Sequence, residues 1–373
     1  MCGYESNIML SCRSRLAFSW KFWNKKEKTN WVANGLYEMW EKTMSKIALV
    51  LGCGGQDGRH LTELLLSKGY AVHGTVRRNE SAGQQMWRYN ESENGKKLLE
   101  NIHLHYMDLL DYESVSNVLK EVQPDEIYHM AAVSFVPISW ADTSTVLNTN
   151  TFGTYRVLEA MRRNCKNARL VNASSSEMYG SAPAPQNETT FFEPRSPYAT
   201  SKVGAHYLTR NYRDSFDMFT CSSICFNHEG EFRGQDFVTR KISMAVARIK
   251  NNLQKELVMG NIEAFRDWGY AKEYVEAMWK MLQQDKPDDY VIATNKTYSV
   301  REFLGNAFRH VGLDWKDYVK TETTLYRPSE VSVLRGDYSK AREKFGFEPK
   351  TSLPELISIM VNTDAERVKC SLL

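Results

Sequence analysis

A short apolar run, Lys46–Leu51 (KIALVL), ends on glycines at 52, 55 and 58 and passes into an amphipathic stretch, His60–Lys68, that stops at Gly69. Strand, glycine turn and helix in immediate succession constrain the fold more than any other feature, because that unit opens a parallel βαβ arrangement. The alternation then continues. Ala71–Val76, Ile102–Tyr106, Glu126–Ala131, Arg169–Ala173 and Met218–Cys225 read as strands. Tyr112–Glu121, Thr151–Arg162 and Tyr198–Phe216 read as helices. Right-handed crossovers put helices on both faces of such a sheet, so the fold class is α/β, a doubly wound parallel-sheet Rossmann domain. After about residue 226 the alternation turns irregular, which predicts a smaller C-terminal substrate-binding lobe. The expected division is an N-terminal extension over 1–43, a cofactor-binding domain over 44–225, and a mainly substrate-binding lobe over 226–373 with elements returning to the first domain.

Residues 1–43 differ from the rest. They hold four of the nine Trp, and seven Lys/Arg against four Asp/Glu. That local excess equals the whole-chain net charge of +3, so the remainder is neutral, which argues against a nucleic-acid partner. An extension without catalytic role is expected, with Met44 a natural start to the folded part. No apolar run approaches the roughly 18 residues that cross a bilayer, so no membrane association is expected. Seven scattered cysteines without a Cys-x-x-Cys pair predict reduced thiols in a cytoplasmic protein and no metal site.

The loop chemistry points to a dinucleotide. Gly52 permits the tight turn, Gly55 lets backbone approach a diphosphate, and Gly58 lets the helix pack close to the sheet with its N-terminus toward the anion. About 20 residues on, an NAD site carries an acid for the ribose 2′-hydroxyl. This chain instead has Arg77-Arg78, two guanidiniums suited to a 2′-phosphate, which favours NADP. Asp108 and Leu109 are expected beside the adenine. Ala131 and Ala132 are small residues where ligand and backbone lie close.

Tyr198 and Lys202 form Tyr-x-x-x-Lys, whose i, i+4 spacing puts both on one helix face. A free phenol, with a pKa of about 10, is a poor base at neutral pH. A nearby ammonium and a cationic nicotinamide favour the phenolate, which can then take a hydroxyl proton. Ser174-Ser175-Ser176 follows the fifth strand, and Glu177 follows at once. A carboxylate there serves a dehydration: once C4 of a sugar is a ketone, the C5 proton is acidic and a positioned base can remove it as the C6 hydroxyl leaves.

Together these residues resemble the extended short-chain dehydrogenase/reductase superfamily, and within it the chain is similar to the GDP-mannose 4,6-dehydratase family from about Ser45 to Asp364. The resemblance lies in Gly55-Gln56-Asp57-Gly58, His73-Gly74, Leu104-His105-Tyr106, Pro194–Tyr198 and Phe226–Glu229. It extends to Phe237–Ile242, Arg266–Gly269 and Arg327–Val331. It implies Ser175 at the catalytic Ser/Thr position, Glu177 as C5 base, Tyr198 as C4 hydroxyl base and Lys202 as its partner. It further implies Gln56, Asp57, Ser134, His228 and Arg233 at the cofactor. Ser134, Asn227, Lys241, Arg266, Arg327 and Glu330 would hold GDP-mannose, and a homo-oligomer, dimer or tetramer, is implied.

The chain departs from the family in places. Gly230-Glu231-Phe232-Arg233-Gly234 replaces the usual Ser-Pro-Arg-Arg-Gly, losing one Arg and gaining an acid. Phe135 stands where His is common, and Tyr270 replaces His. The stretch 79–100 diverges heavily; in the family that region bridges to the cofactor of a neighbouring subunit. The expected activity is NADP-dependent dehydration of GDP-mannose to GDP-4-keto-6-deoxymannose. An epimerase or 4-reductase of the same superfamily would have no use for Glu177. A silent NADP-binding interaction protein would be expected to have lost Tyr198, Lys202 or Glu177.

Overall fold

The computed structural model describes residues 45–77, 82–326 and 329–370. Arg78, Arg327 and the extension 1–43 lie outside them.

Seven strands form one parallel sheet: β1 (Ile47–Leu51), β2 (Ala71–Val76), β3 (Ile102–Tyr106), β4 (Glu126–His129), β5 (Arg169–Ser175), β6 (Phe219–Cys225) and, after an excursion through β7 (Asn227–Glu229), β8 (Leu257–Met259), β9 (Phe265–Arg266) and β10 (Trp268–Tyr270), β11 (Asp289–Ile292). Their order is β11-β6-β5-β4-β1-β2-β3. The direction of winding through the sheet therefore reverses between β1 and β4, which run parallel, and the crevice outside the carboxyl ends of those strands is where such sheets bind ligands. Six strands coincide with the sequence reading to within a residue or two. The seventh, β11, is a short run in the region read as irregular, and it pairs with β6 in register Asp289↔Ser222.

Alternation along β1 explains the two layers. Ala48 and Val50 face one side, where they meet Leu61 and Leu65 of α1 (Gln56–Ser67), and Met278 and Met281 pack into the same cluster. Leu49 and Leu51 face the other side, against Val115 and Leu119 of α2 (Tyr112–Val122) and Leu158 and Met161 of α3 (Gly153–Asn164). Fully buried β-strands of this kind require helices on both faces. α4 (Pro197–Phe216) covers the α3 side, and its Tyr212 joins that cluster.

The lobe has its own apolar core. Ile242 and Val246 of α5 (Val238–Lys250), Phe303 and Phe308 of a helix over Val300–His310, and Leu356 and Met360 of a helix over Leu353–Cys370 pack around Trp268. α6 (Ala271–Leu282) returns from the lobe to the α1 face of the sheet, bringing Met278 and Met281 with it.

α1 starts at Gln56, four residues earlier than the His60 read from the sequence, because the helix opens inside the glycine motif itself. The helix read from Thr151 is preceded by a π-helical turn, Asn148–Phe152, before α3 begins at Gly153. Asn150 accounts for that turn. Its Oδ1 accepts from Val133 N at 2.9 Å, and its Nδ2 donates to Val133 O and Ser201 Oγ.

Candidate active site

A cleft of about 1090 Å³ opens at the carboxyl ends of the strands. Its floor is the glycine loop. Gly52 has φ +84°, and a Cβ there would lie 3.0 Å from the Ala131 backbone, so β1 and β4 can approach only because it is glycine. Gly58 behaves differently from the sequence expectation. A Cβ on it would meet Gly52 O at 2.4 Å and Cys53 Cα at 2.6 Å. It therefore fits α1 against the loop's own backbone, which seats the helix N-terminus directly under the cleft.

Every described residue that the sequence offers as a catalytic, cofactor or substrate candidate lines this cleft. Gly52, Gly55, Gln56, Asp57, Gly58, Arg77, Asp108 and Leu109 form one end. Ala131, Ala132, Ser134, Ser175, Glu177, Tyr198 and Lys202 form the middle, with Asn227, His228 and Arg233 above. Lys241, Arg266 and Glu330 come from the lobe. Phe135 meets Phe237 edge-on at 5.8 Å, making an apolar wall at the position where the resemblance makes His common.

The reactive group is placed by two caps. Ser196 Oγ accepts from Ala199 N at 3.1 Å and Pro197 occupies the first turn, so α4 starts at a defined point and Tyr198 sits in that turn. Ser175 Oγ accepts from Glu177 N at 3.2 Å and starts a 3₁₀ turn, Ser176–Tyr179, which puts Glu177 into the cleft wall. Both Glu177 and Tyr198 are buried. Lys202 Nζ donates to Ala173 O at 2.8 Å and lies 6.0 Å from the centre of the Tyr198 ring. Burial pushes the Tyr198 phenol up to about 12, although its bond to Ser175 works the other way. Burial likewise pulls the Lys202 ammonium down to about 8.

Beside the glycine loop, His228 Nε2 meets Asp57 Oδ2 at 3.0 Å while His228 Nδ1 bonds Phe226 O at 2.7 Å. Gln56 Nε2 donates to His228 O and Asp57 Oδ1. Burial opposes both charges, but the pair overrides it: Asp57 is held well below the usual carboxylate range and His228 is raised. This tie fastens the strand β7 to α1 across the cleft mouth. In the lobe, Lys241 Nζ donates to Val258 O at 2.7 Å, and Arg266 donates to Phe265 O and Val331 O. Asp267 next door is buried and accepts from Thr294 N, Asn295 N and Gly336 N, pinning two segments behind Arg266.

The cleft fits a ligand rich in polar groups. Asn227 Oδ1 and Trp268 Nε1 are buried on its wall with no hydrogen-bond partner among the described residues, which leaves them open to a polar ligand. Three residues of consequence escaped the sequence reading. Asn150, in a Thr-Asn-Thr run inside a helical pattern, ties the 133 region to α4. Arg240, adjacent to the expected Lys241, is buried and ion-paired to Asp364 at 2.8 Å, and it donates to Glu231 O and Arg233 O. Arg88, in the divergent stretch, lines the cleft.

The glycine loop, the seven-stranded parallel sheet and the Ser–Tyr–Lys set define an extended short-chain dehydrogenase/reductase. A family model described as GDP-mannose 4,6 dehydratase matches residues 49–360. The chain is 49% identical over 330 residues to GDP-mannose 4,6 dehydratase 1 of Arabidopsis thaliana, covering 87% of this chain and 91% of that one. It is 40% identical over 344 residues to the Homo sapiens GDP-mannose 4,6 dehydratase, covering 87% and 92%. Among solved structures, a dTDP-glucose 4,6-dehydratase from Streptomyces venezuelae superposes with TM-score 0.75 at 22% identity, covering 87% of this chain and 98% of that one. The chain belongs to the GDP-mannose 4,6 dehydratase family.

Proposed function

We propose that this protein converts GDP-mannose to GDP-4-keto-6-deoxymannose with NADP as its cofactor. The observation that carries the reading is Glu177, held by the Ser175 cap in the wall of the same cleft that Tyr198 and Lys202 line. A bound nicotinamide cofactor would supply a hydride acceptor for C4 of the sugar and a hydride donor for C6, so that the reaction has no net redox change. Tyr198 removes the C4 hydroxyl proton, and the Ser175 hydroxyl holds the C4 oxygen in line with it. Lys202 supplies positive charge that favours the phenolate. Glu177 removes the C5 proton and passes a proton to the C6 hydroxyl, which leaves as water.

Gly52, Gly55, Gly58 and the N-terminus of α1 would receive the cofactor diphosphate, with His228 and Arg233 above it. Arg77, with Arg78 outside the described residues, stands at the end of β2 where a 2′-phosphate would lie, which is the ground for NADP over NAD. Asn227, Lys241, Arg266 and Glu330, with Arg327, would hold the GDP-sugar, and Ser134 serves both ligands. This divides the work between residues 44–225 for the cofactor and 226–373 mainly for the substrate.

A homo-oligomer, dimer or tetramer, is supported by large exposed apolar side chains on neighbouring elements: Ile138, Trp140, Phe152, Tyr155 and Tyr207. Among the described residues no helix is long and apolar enough to cross a membrane. The described cysteines are free thiols, which supports a cytoplasmic location. The decisive experiment incubates purified protein with GDP-mannose and follows the product by mass. Loss of one water with appearance of a 4-keto sugar is expected, and unchanged substrate would refute the reading.

A further inference from the structure

Residues 82–100, in a stretch that departs heavily from the family pattern, fold onto the glycine loop of their own chain. Gln85 Nε2 donates to Arg77 O at 2.6 Å, and Arg77 N donates to Gln85 Oε1 at 2.7 Å. Tyr89 OH donates to Cys53 O at 3.1 Å. Between them, Arg88 Nη1 donates to Gly54 O at 2.8 Å and Arg88 Nε donates to Phe232 O at 2.6 Å. One guanidinium thus joins the glycine loop to the loop 230–234, and it does so on the wall of the cleft.

Phe232 is the position at which the family motif has an arginine. Its ring lies 5.0 Å from the Arg59 guanidinium and 5.0 Å from the His60 ring, on α1, and it does not line the cleft. The cation missing from the loop is therefore restored in space by Arg88, whose guanidinium bonds the Phe232 carbonyl itself.

The charge balance shows what this cation lacks. Four arginines converge on the loop, and Arg59 is paired with Glu63 at 3.0 Å. Arg240 is paired with Asp364 at 2.8 Å, and Arg233 with Glu229 at 2.9 Å. Arg88 bonds only carbonyl oxygens, and among the described residues no carboxylate forms an ion pair with it. Burial, with Arg240 nearby, lowers it to about 10 against the opposing pull of the Glu91 and Asp57 carboxylates, so it remains a cation at neutral pH. A guanidinium fixed in a cleft wall, with carboxylates near it but none in ion-pair contact among the described residues, is a site for an anion.

We propose that Arg88 is a cofactor-binding residue that holds the diphosphate of the dinucleotide, supplied by the chain's own 82–100 segment. The proposal rests on the reading that the cleft takes NADP. The diphosphate is favoured over the 2′-phosphate by position. Both carbonyls that hold Arg88 belong to loops flanking the N-terminus of α1, the end at which a helix favours a phosphate. Arg77, by contrast, ends β2.

The test uses the full chain stripped of cofactor, with dissociation constants for NADP and NAD measured separately by calorimetry. Arg88→Gln can still donate to a carbonyl but carries no charge; Arg88→Lys keeps the charge. For Arg88→Gln, both cofactors should weaken by a similar factor, roughly ten- to a hundredfold, as one charge-assisted bond is worth. Arg88→Lys should stay much closer to the wild type for both, and the Gln effect should shrink in high salt. Unchanged affinity in Arg88→Gln, or equal loss in Gln and Lys variants, would make Arg88 a structural latch and overturn the proposal. Loss confined to NADP would overturn the diphosphate assignment. Wild-type protein that binds neither dinucleotide would instead refute the cofactor reading itself, so the two failures are distinct. Unfolding midpoints of both variants show whether each is folded, and if the Gln variant is not, the Lys variant and the salt dependence of wild-type binding carry the test. Salt-independent wild-type binding would then count against the proposal.

Discussion

Replacing Lys202 by Met isolates the charge that sits behind the catalytic phenol. Met nearly matches the Lys stem in length and removes the ammonium, which lies 6.0 Å from the centre of the Tyr198 ring. At an effective dielectric constant of about 20, a unit charge at that distance stabilises a phenolate by about 3 kcal/mol. At 1.36 kcal/mol per unit, that is about two pH units on the Tyr198 ionisation. Burial already pushes this phenol up to about 12, so the site has little margin to lose. The acid limb of the pH–rate profile for C4 oxidation is expected to move up by about two units in Lys202→Met, with the rate near neutrality falling about a hundredfold. Lys202 is itself lowered to about 8 by burial, so its help is complete below that pH and fades above it. The variant's deficit should therefore narrow on the alkaline side. A folding defect would give a different signature. Because the folded state depresses the Lys202 pKa, the charged form costs stability in full below about pH 8. Removing it should leave the melting temperature at neutral pH no lower than that of the wild type. The measurement is single-turnover reduction of bound cofactor across pH, beside thermal unfolding. An acid limb that stays in place while the rate drops uniformly would refute the electrostatic role of Lys202.

Other expectations follow from the same geometry. Glu177→Gln keeps the bulk and the backbone bond to Ser175 but lacks the base, so C4 oxidation should persist while water loss slows by about 10²–10⁴; near-normal product formation by mass would remove Glu177 from the C5 step. Arg77→Ala should weaken NADP at least about tenfold more than NAD, since a charge-assisted bond to phosphate contributes about 1.5–3 kcal/mol, and equal effects on both would place Arg77 outside the 2′-phosphate site. Asp57 is lowered, so its contribution to stability holds above about pH 4 and is lost as pH falls below it. His228 is raised, so its share is complete below about pH 6.5 and is lost as pH rises through the raised value. The stability difference between wild type and His228→Gln, read by chemical denaturation without cofactor, should thus peak between those limits, and a flat difference would contradict the pairing. Asp364→Asn strands the buried Arg240 and should cost about 3–5 kcal/mol in equilibrium unfolding; a loss well under 1 kcal/mol would show that the ion pair does not hold the 230–234 loop.

The order of strands and helices, the glycine turn and the common face of Tyr198 and Lys202 are all properties of residues close in the chain. Periods of two and of 3.6 residues, and a turn of seven, are written locally, so the amino-acid sequence alone determined them. The start of α1 slipped because the helix begins within the glycine motif, where there is no apolar period to mark it. β11 went unread for a related reason: four residues carry too little pattern to declare a strand until β6 pairs with them. Contacts between distant residues belong to the tertiary structure. His228 finds Asp57 across 171 residues, Ser243 finds Asp364 across 121, and Arg88 reaches Phe232 across 144. None of these partners announces itself by spacing, because crossover connections and the excursion of the lobe set which loops meet at the carboxyl edge of the sheet. Sequence thus determined which chemistry the chain carries on each element. Only the folded sheet decided that Arg88, Asn150 and Arg240 would stand around that chemistry, since burial and charge balance arise from what the whole chain brings together.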